Sequence, residues 1–373
     1  MKKNILLTLC VALLGYNAIA QYNLVKPNGS LEISGWVTTF YNHRFYPAGT
    51  TNFKKNRYNL DFAVLKLDGV VNKVWNYQLQ LNSAALFEPD ANDGFLMDAW
   101  GSFNPLSDRL EVRVGWMKLP FSRTSLVPMS ESAFLQRPNV ARGGTFTRRD
   151  VGTLVRYSAL NKLINIYGGV FTGMGALSLQ GDNDASGSVE YVGRVEFSYP
   201  ARYRRTEIDL THVKLPMFSL GVDARSANKK TTYGLEYPYE LLDGLKQCYS
   251  ANADFQYQGF SAHAEAIRIR MQPNDPALLL TKPTNHFRQG GFIASANYCF
   301  KKYKTVLAAR FDEYNPNDLL RGDRERSVSL AANYLLDGQK SCVKVQYWKR
   351  LKDPESNTIW TPDQIRIAYQ LLF

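Results

Sequence analysis

Between residues 118 and 149 the chain places Lys118, Arg123, Arg137, Arg142, Arg148 and Arg149 against one acid, Glu131. That local balance of +5 in 32 residues is a large share of the +12 carried by all 373, which hold 45 Lys+Arg and 33 Asp+Glu. Arginine keeps its charge at any physiological pH and offers several donors to one oxyanion. The chemistry on offer is therefore attraction of anions, strongest where low-dielectric walls confine a narrow water path. No comparable catalytic pattern exists. His43, His212, His263 and His286 are far apart and follow no HExxH or His-x-His spacing, so satisfied or solvated histidines are expected rather than metal ligands. No GxSxG, Walker or dinucleotide-binding fingerprint occurs. The expectation is no enzyme, no cofactor and no metal. Nucleic-acid binding is not expected either, because the basic residues are spread along the chain instead of forming a patch.

Something must hold those arginines, and the rest of the chain is built from alternation. In Leu31 to Tyr41 the odd positions are Leu31, Ile33, Gly35, Val37, Thr39 and Tyr41, a largely apolar series; Trp75, Tyr77, Leu79 and Leu81 alternate with Asn76, Gln78, Gln80 and Asn82. Ile365, Ile367, Tyr369, Leu371 and Phe373 do the same at the end. Period-two patterning of this kind makes strands with one oily and one polar face. The only long apolar run, Ile5 to Tyr16, is 12 residues, too short to cross a bilayer as a helix. With Lys2 and Lys3 before it and Ala18-Ile19-Ala20 after it, residues 1–20 read as a cleavable export signal. Residues 21–373 then read as one domain with 43 basic and 33 acidic residues, a net +10. Cys248, Cys299 and Cys342 are an odd set that fits no disulfide framework, zinc site or CxxC, and are taken as small packing residues.

Loop lengths decide whether the oily face meets a protein core or lipid. Connections at 42–56, 84–94, 118–149, 172–188, 226–248, 271–287, 314–325 and 352–363 are long; those at 68–73, 104–109, 158–162, 258–259, 301–303 and 336–340 are short. The two kinds alternate strictly if Thr206 to Val213 is an excursion inside one enlarged turn, 199–216, which reduces seventeen strand-like segments to sixteen. A transmembrane β-barrel sorts its loops in this way, with short periplasmic turns and long outer loops, whereas a sandwich has no reason to. Seven of the eight strands running toward the short turns end on an aromatic: Phe103, Tyr157, Phe197, Tyr257, Tyr298, Tyr334 and Phe373. Rings collected at one level suit a membrane interface. The expected fold is all-β, a 16-stranded antiparallel transmembrane barrel, with 18 strands as the alternative count.

Two passages carry a family likeness. Gly115-Trp116-Met117-Lys118-Leu119-Pro120-Phe121-Ser122 resembles the Gly-x-x-Lys-x-Pro-Phe-Gly stretch of the outer-membrane phosphate-selective porins, with Ser122 in place of the usual Gly. Arg149-Asp150-Val151-Gly152, Gly169 to Gly175 and Gly193-Arg194 to Pro200 are similar to later segments of the same family. The resemblance implies a passive, sixteen-stranded, homotrimeric porin in which the third long loop folds into the pore and basic residues select anions such as phosphate. It also implies an outer-membrane location, contact with outer-membrane lipid and lipopolysaccharide, and recognition of Phe373 by barrel-assembly machinery.

Strand phase extends the set of candidate pore residues. Where Val112, Val114 and Trp116 face lipid, Arg113 faces the lumen; the same argument turns Arg156, Arg194, Lys344, Arg350 and Arg366 inward, toward water. A basic residue on the lipid face near the midplane costs about 2–4 kcal/mol, which favours that assignment. Arg310 is ambiguous, because both phases of its strand are mixed. Asp61, Asp98, Glu111, Asp150, Glu196 and Asp312 share the interior and are candidates to pair with these cations. The reading is an outer-membrane porin for small hydrophilic solutes, anion-preferring, with the loop 118–149 as its constriction. Its rivals are a plugged binding or adhesion barrel, using loops such as 226–248 with Lys229 and Lys230, and a barrel enzyme.

Overall fold

The computed structural model describes residues 22–26, 29–46, 55–86, 94–106, 108–142, 146–181, 184–230, 243–275, 285–319, 322–351 and 362–373. Residues 1–20, the expected export signal, lie outside them. The strands are β1 (Tyr22–Lys26), β2 (Gly29–Arg44), β3 (Asn56–Val71), β4 (Trp75–Asn82), β5 (Leu96–Phe103), β6 (Leu110–Lys118), β7 (Arg149–Ala159), β8 (Ile164–Phe171) and β9 (Glu190–Tyr199). They continue with β10 (Met217–Lys230), β11 (Asp243–Tyr257), β12 (Phe260–Pro273), β13 (Phe287–Phe300), β14 (Thr305–Asn315), β15 (Glu325–Asp337), β16 (Ser341–Leu351) and β17 (Gln364–Leu372).

Each of β2 to β17 pairs antiparallel with the next, and β17 returns to β2, with Arg366 opposite Asn42 and Ala368 opposite Phe40. Sixteen strands thus close a ring without a free edge, the condition for placing strands in lipid. The short β1 folds back on the start of β2, Lys26 opposite Gly29. Residues 206–213 contain no strand, so the ring count stays even.

Alternation fixes the faces. Outward positions include Leu65, Val114, Val155, Val195, Leu220, Leu307, Leu330 and Ile367, all exposed apolar side chains on the lipid side. The short-turn rim carries the expected rings and more: Trp75 stacks on Phe103 at 4.7 Å, and Tyr298 meets Phe300 at 4.6 Å. Leu67 ends no strand with a ring, but its neighbour strand supplies Trp75 and Tyr77, and Gly69 opposite Tyr77 leaves the space that this ring occupies. The tightest turn, Gln258-Gly259, has both residues at positive φ (48° and 87°), as a two-residue hairpin of right-handed strands requires. A side chain at 259 would also run into His212, 2.6 Å away.

Three features differ from the sequence reading. Strands β10 and β11 extend to Lys230 and start at Asp243, so Lys229 and Lys230 belong to the wall rather than to a long loop; Lys229 donates to the Gly173 carbonyl. The inward face is not uniformly polar. Ile267, Ile269, Met271 and Ile293 point inward and are buried beneath Phe121, Val140, Ala141 and Phe146 of the 118–149 loop. Finally, among the described residues Asp150 forms no ion pair with an arginine: its carboxylate accepts from the Val151 and Gly173 amides and the Thr172 hydroxyl. The three cysteines are free and buried, Cys248 in the first of these apolar clusters and Cys299 and Cys342 in a second with Phe134 and Ile208.

Candidate pore and its charged walls

The 118–149 loop leaves the wall at Lys118, runs inside the ring and returns at Arg149, where the Leu119 amide donates to the Arg148 carbonyl at 3.0 Å. It is tied to inward-facing side chains of distant strands. The Ser122 amide donates to Asp223 of β10 (2.9 Å), and the Arg123 and Thr124 amides donate to Glu265 of β12 (2.8 and 3.0 Å). Further along, the Leu135 amide reaches Gln346 of β16 (2.7 Å) and the Asn139 amide reaches Asp312 of β14 (3.2 Å). Loop carbonyls are met in turn: Ser132 by Lys344 (2.9 Å), Gln136 by Arg310 (2.8 Å) and Ser130 by Gln370 (3.0 Å). A peptide buried against a wall must have its donors and acceptors satisfied, and the wall's polar side chains do this for the loop. His263 is one of them, hydrogen-bonded to Asp254 (2.9 Å) and to the Thr124 hydroxyl (3.1 Å).

The turn 200–216 rises from the opposite end to meet it. Ile208 packs with Phe134, and Glu207 accepts from the Ser132 hydroxyl (2.7 Å) and the Ala133 amide (2.9 Å). Asp209 holds the turn's own shape, accepting from the amides of Val213 and Gly259, both at 2.9 Å. Loop and turn together fill the side of the lumen bounded by β10 to β16.

The candidate residues separate by what they touch. Arg123, 2% exposed, points at Asp254 (3.5 Å) and at the carbonyls of Arg204 and Thr206. Arg137 donates to the Thr124 and Val127 carbonyls and so fastens the loop to itself. Arg194 is fully buried between Asp223 (2.5 Å), Glu196 (2.9 Å) and Asn252 (3.1 Å). Lys344 is 1% exposed, covered by the loop whose carbonyl it holds, so phase turns it inward but water does not reach it. Arg310, ambiguous in the sequence, also points inward, over Phe134. Arg113 and Arg156 share Glu111 at 2.7 and 3.1 Å, and Arg113 lies over the Trp100 ring. Arg149 pairs with Asp98 at 3.3 Å.

Beside the filled side, a 490 Å³ space follows β2 to β5, reaches the β15–β16 turn at Asp337 to Ser341, and is lined by Lys66, Gln80, Lys118, Glu131, Arg137 and Arg149 among others. Burial pushes the Glu131 carboxyl above its ordinary range, opposed by Lys118, Arg123 and Lys66. Nearer the long-loop rim, Arg366 of β17 lies within electrostatic reach of Arg142, Arg44, Arg57 and Asp61. Register explains the gathering: Asn42 of β2 has Arg366 on one side and Arg57 on the other, with Arg44 two residues along the same inward face. All four arginines are half-buried. Arg142 donates through Nε to the Arg137 carbonyl (2.9 Å), while its Nη2 and the Arg44 Nε are buried without a hydrogen-bond partner. Arg366 stacks 4.6 Å from the Phe40 ring centroid. Arg148 and Arg350 are half-buried at the margins of this group. Arg44 and Arg57 are absent from the sequence-based candidates, although Arg44 continues the even, inward series Thr38, Phe40 and Asn42 that would have identified it.

Among curated proteins none matches the sequence. The fold is similar to solved outer-membrane channels: OmpF of Salmonella typhi in complex with daunomycin (TM-score 0.60, 13% identity, 94% of this chain and 100% of that one) and DcaP of Acinetobacter baumannii (TM-score 0.59, 12% identity, 95% and 100%). An anion-selective porin from Comamonas acidovorans is similar at TM-score 0.56 and 12% identity, over 92% of this chain and 100% of that one. The family model of phosphate-selective porins O and P matches residues 41–373, and the chain accordingly belongs to that family of outer-membrane porins.

Proposed function

We propose that the barrel is an anion-preferring diffusion channel whose water path runs along β2 to β6 and whose selectivity comes from Arg44, Arg57, Arg142 and Arg366. The observation that carries this reading is the gathering of four half-buried arginines, Arg44, Arg57, Arg142 and Arg366, where the 118–149 loop meets β2, β3 and β17. A unit charge about 7 Å from a passing anion contributes about 2 kcal/mol at an effective dielectric of 20 and about 0.6 kcal/mol in bulk water. Four such charges, partly offset by Asp61, are enough for a preference of an order of magnitude or more without holding the ion so tightly that it cannot leave. Lys66, Lys118 and Arg149 continue the basic lining below, with Asp68, Glu131 and Asp98 moderating it. Small oxyanions, phosphate among them, fit donors of this type because guanidinium presents a planar fork to two oxygens.

The experiment is single-channel recording in a planar bilayer under a KCl gradient. An anion-leaning reversal potential that moves to the cation side in R44E/R142E/R366E supports the proposal; a cation-leaning wild type defeats it. A second reading, a plugged barrel that binds rather than conducts, is favoured by the 200–216 turn filling the lumen from below. Absence of conductance would select it.

A further inference from the structure

Outside the ring, at the long-loop rim, three arginines occupy positions that should be oily. Arg268 and Arg270 share the outward phase of β12 with Ala262, Ala264 and Ala266, and Arg288 shares that of β13 with Phe292. Arg270 and Arg288 are direct cross-strand partners. Their Cβ atoms are therefore about 5 Å apart, and Arg268 lies about 7 Å along the same face. Like charges directly opposite one another repel, and the strand offers nothing to offset this. Among the described residues no carboxylate forms an ion pair with any of the three. Arg270 donates only to Gln272 (3.3 Å), and its Nε is buried without a partner. The nearest acid, Asp318, has one oxygen on the Arg288 backbone amide at 2.8 Å. The three fields converge on one spot: slight burial, then Arg270, Arg288 and Arg268, push the His286 imidazole below its ordinary range, with Asp318 opposing.

Other parts of the rim lack this feature. On β2 and β3 the outward positions near the same rim are Tyr41, His43, Tyr58 and Leu60, and on β9 Tyr191. The cationic cluster is thus local to β12 and β13. It faces lipid rather than the pore, at the depth where the outer leaflet presents its headgroups, because aromatic and apolar side chains occupy the rest of both strands' outer faces.

We infer that Arg268, Arg270 and Arg288 form a binding site for the phosphate groups of the outer leaflet's glycolipid, of the lipid A type. Guanidinium groups meet phosphate oxygens with paired hydrogen bonds, and a phosphorylated headgroup cancels their mutual repulsion. The acyl chains then lie against the alanine faces of β12 and β13, where small side chains leave a shallow outer surface.

The test is titration of the full-length barrel in detergent micelles with bisphosphorylated lipid A, read by native mass spectrometry. Each arginine near an anionic headgroup contributes about 1 kcal/mol, so R268Q/R270Q/R288Q should bind roughly a hundredfold more weakly. The equivalent removal at the neighbouring rim, R324Q/R326Q/K349Q, should change binding by no more than about twofold. The proposal is overturned if both triple variants weaken binding equally, if dephosphorylated lipid A binds as tightly, or if phosphatidylglycerol or inorganic phosphate displaces the glycolipid at equal phosphate concentration. Should the first triple variant fail to fold, R268Q alone, altering an exposed side chain, is expected to lose roughly fivefold, and no loss would be equally fatal. Because the readout is not current, its failure leaves the pore reading untouched.

Discussion

The two sides of this lumen obey different rules although the same alternation produces both. Along β9 to β16 the inward residues are spent: Arg194 is buried between Asp223 and Glu196, and Lys344, Glu265 and Asp312 are buried holding the backbone of the loop. Along β2 to β6, Lys66 and Arg113 stay partly exposed and the 490 Å³ space begins. An inward charge is therefore not automatically a pore charge. What decides is whether a second layer of chain covers it, and period-two patterning says nothing about that layer.

The contrast is sharpest in how each side should respond to loss of a charge. Removing Arg194 leaves Asp223 buried without its principal counterion, while Glu196 keeps Arg205, at a cost of about 3–5 kcal/mol. R194A should thus fold poorly or melt at markedly lower temperature, with selectivity little changed in whatever barrel forms; a stable R194A barrel with altered selectivity would place water on the filled side. Reversing a single charge on the open side, R142E, should do the opposite. It should shift the reversal potential toward cations by an amount that shrinks as salt is raised, since screening at 0.1 M acts over about 10 Å, while thermal unfolding stays near that of the wild type.

Acid should act through Glu131. Its carboxyl, raised by burial, binds a proton at a higher pH than an ordinary glutamate does. As pH falls toward and through that raised value the loop loses its negative charge, and anion preference should increase before ordinary carboxylates titrate. The stability sign follows the same shift: relative to the unfolded chain, the favourable contribution is present at low pH and is lost as pH rises through the folded value. E131Q should flatten the early part of the pH profile of the reversal potential, and an unchanged profile would remove Glu131 from the path. The smallest effect belongs to R113Q. Glu111 keeps Arg156, and a partly exposed pair is worth no more than about 1 kcal/mol, so stability and conductance should both stay close to wild type in thermal melts and bilayer recordings.

The ring itself was legible in the residues. Alternating faces, loops sorted by length and the rings at Tyr157, Phe197, Tyr298 and Tyr334 lead to sixteen strands because each is a local consequence of putting a strand through lipid. The loop 118–149 could be singled out by its charge, but Arg123 and Arg137 could not be told apart from Arg142 without knowing which carbonyls and carboxylates lie opposite them. Arg123 finds its partners more than 80 residues away, in Asp254 and the 200–216 turn, whereas Arg137 finds them inside the folded loop itself, at Thr124 and Val127. Arg44 and Arg57 were readable in principle from their inward phase, yet their meeting with Arg366 depends on β17 closing against β2, a register no single segment contains. The apolar inward run Ile267, Ile269 and Met271 points the same way: it makes sense only once Phe121 and Phe146 lie over it.

The loop's anchor points also have a mechanical meaning. A hollow hoop of sixteen ribbons flattens easily under sideways squeeze from the surrounding bilayer, since every ribbon touches only two neighbours. Here one inner strap starts between β6 and β7 and is pinned in turn to Asp223, Glu265, Asp312, Gln346 and Gln370, so it crosses the hoop as a diagonal brace. The same strap that narrows the passage therefore ties strands on different sides of the hoop to one another.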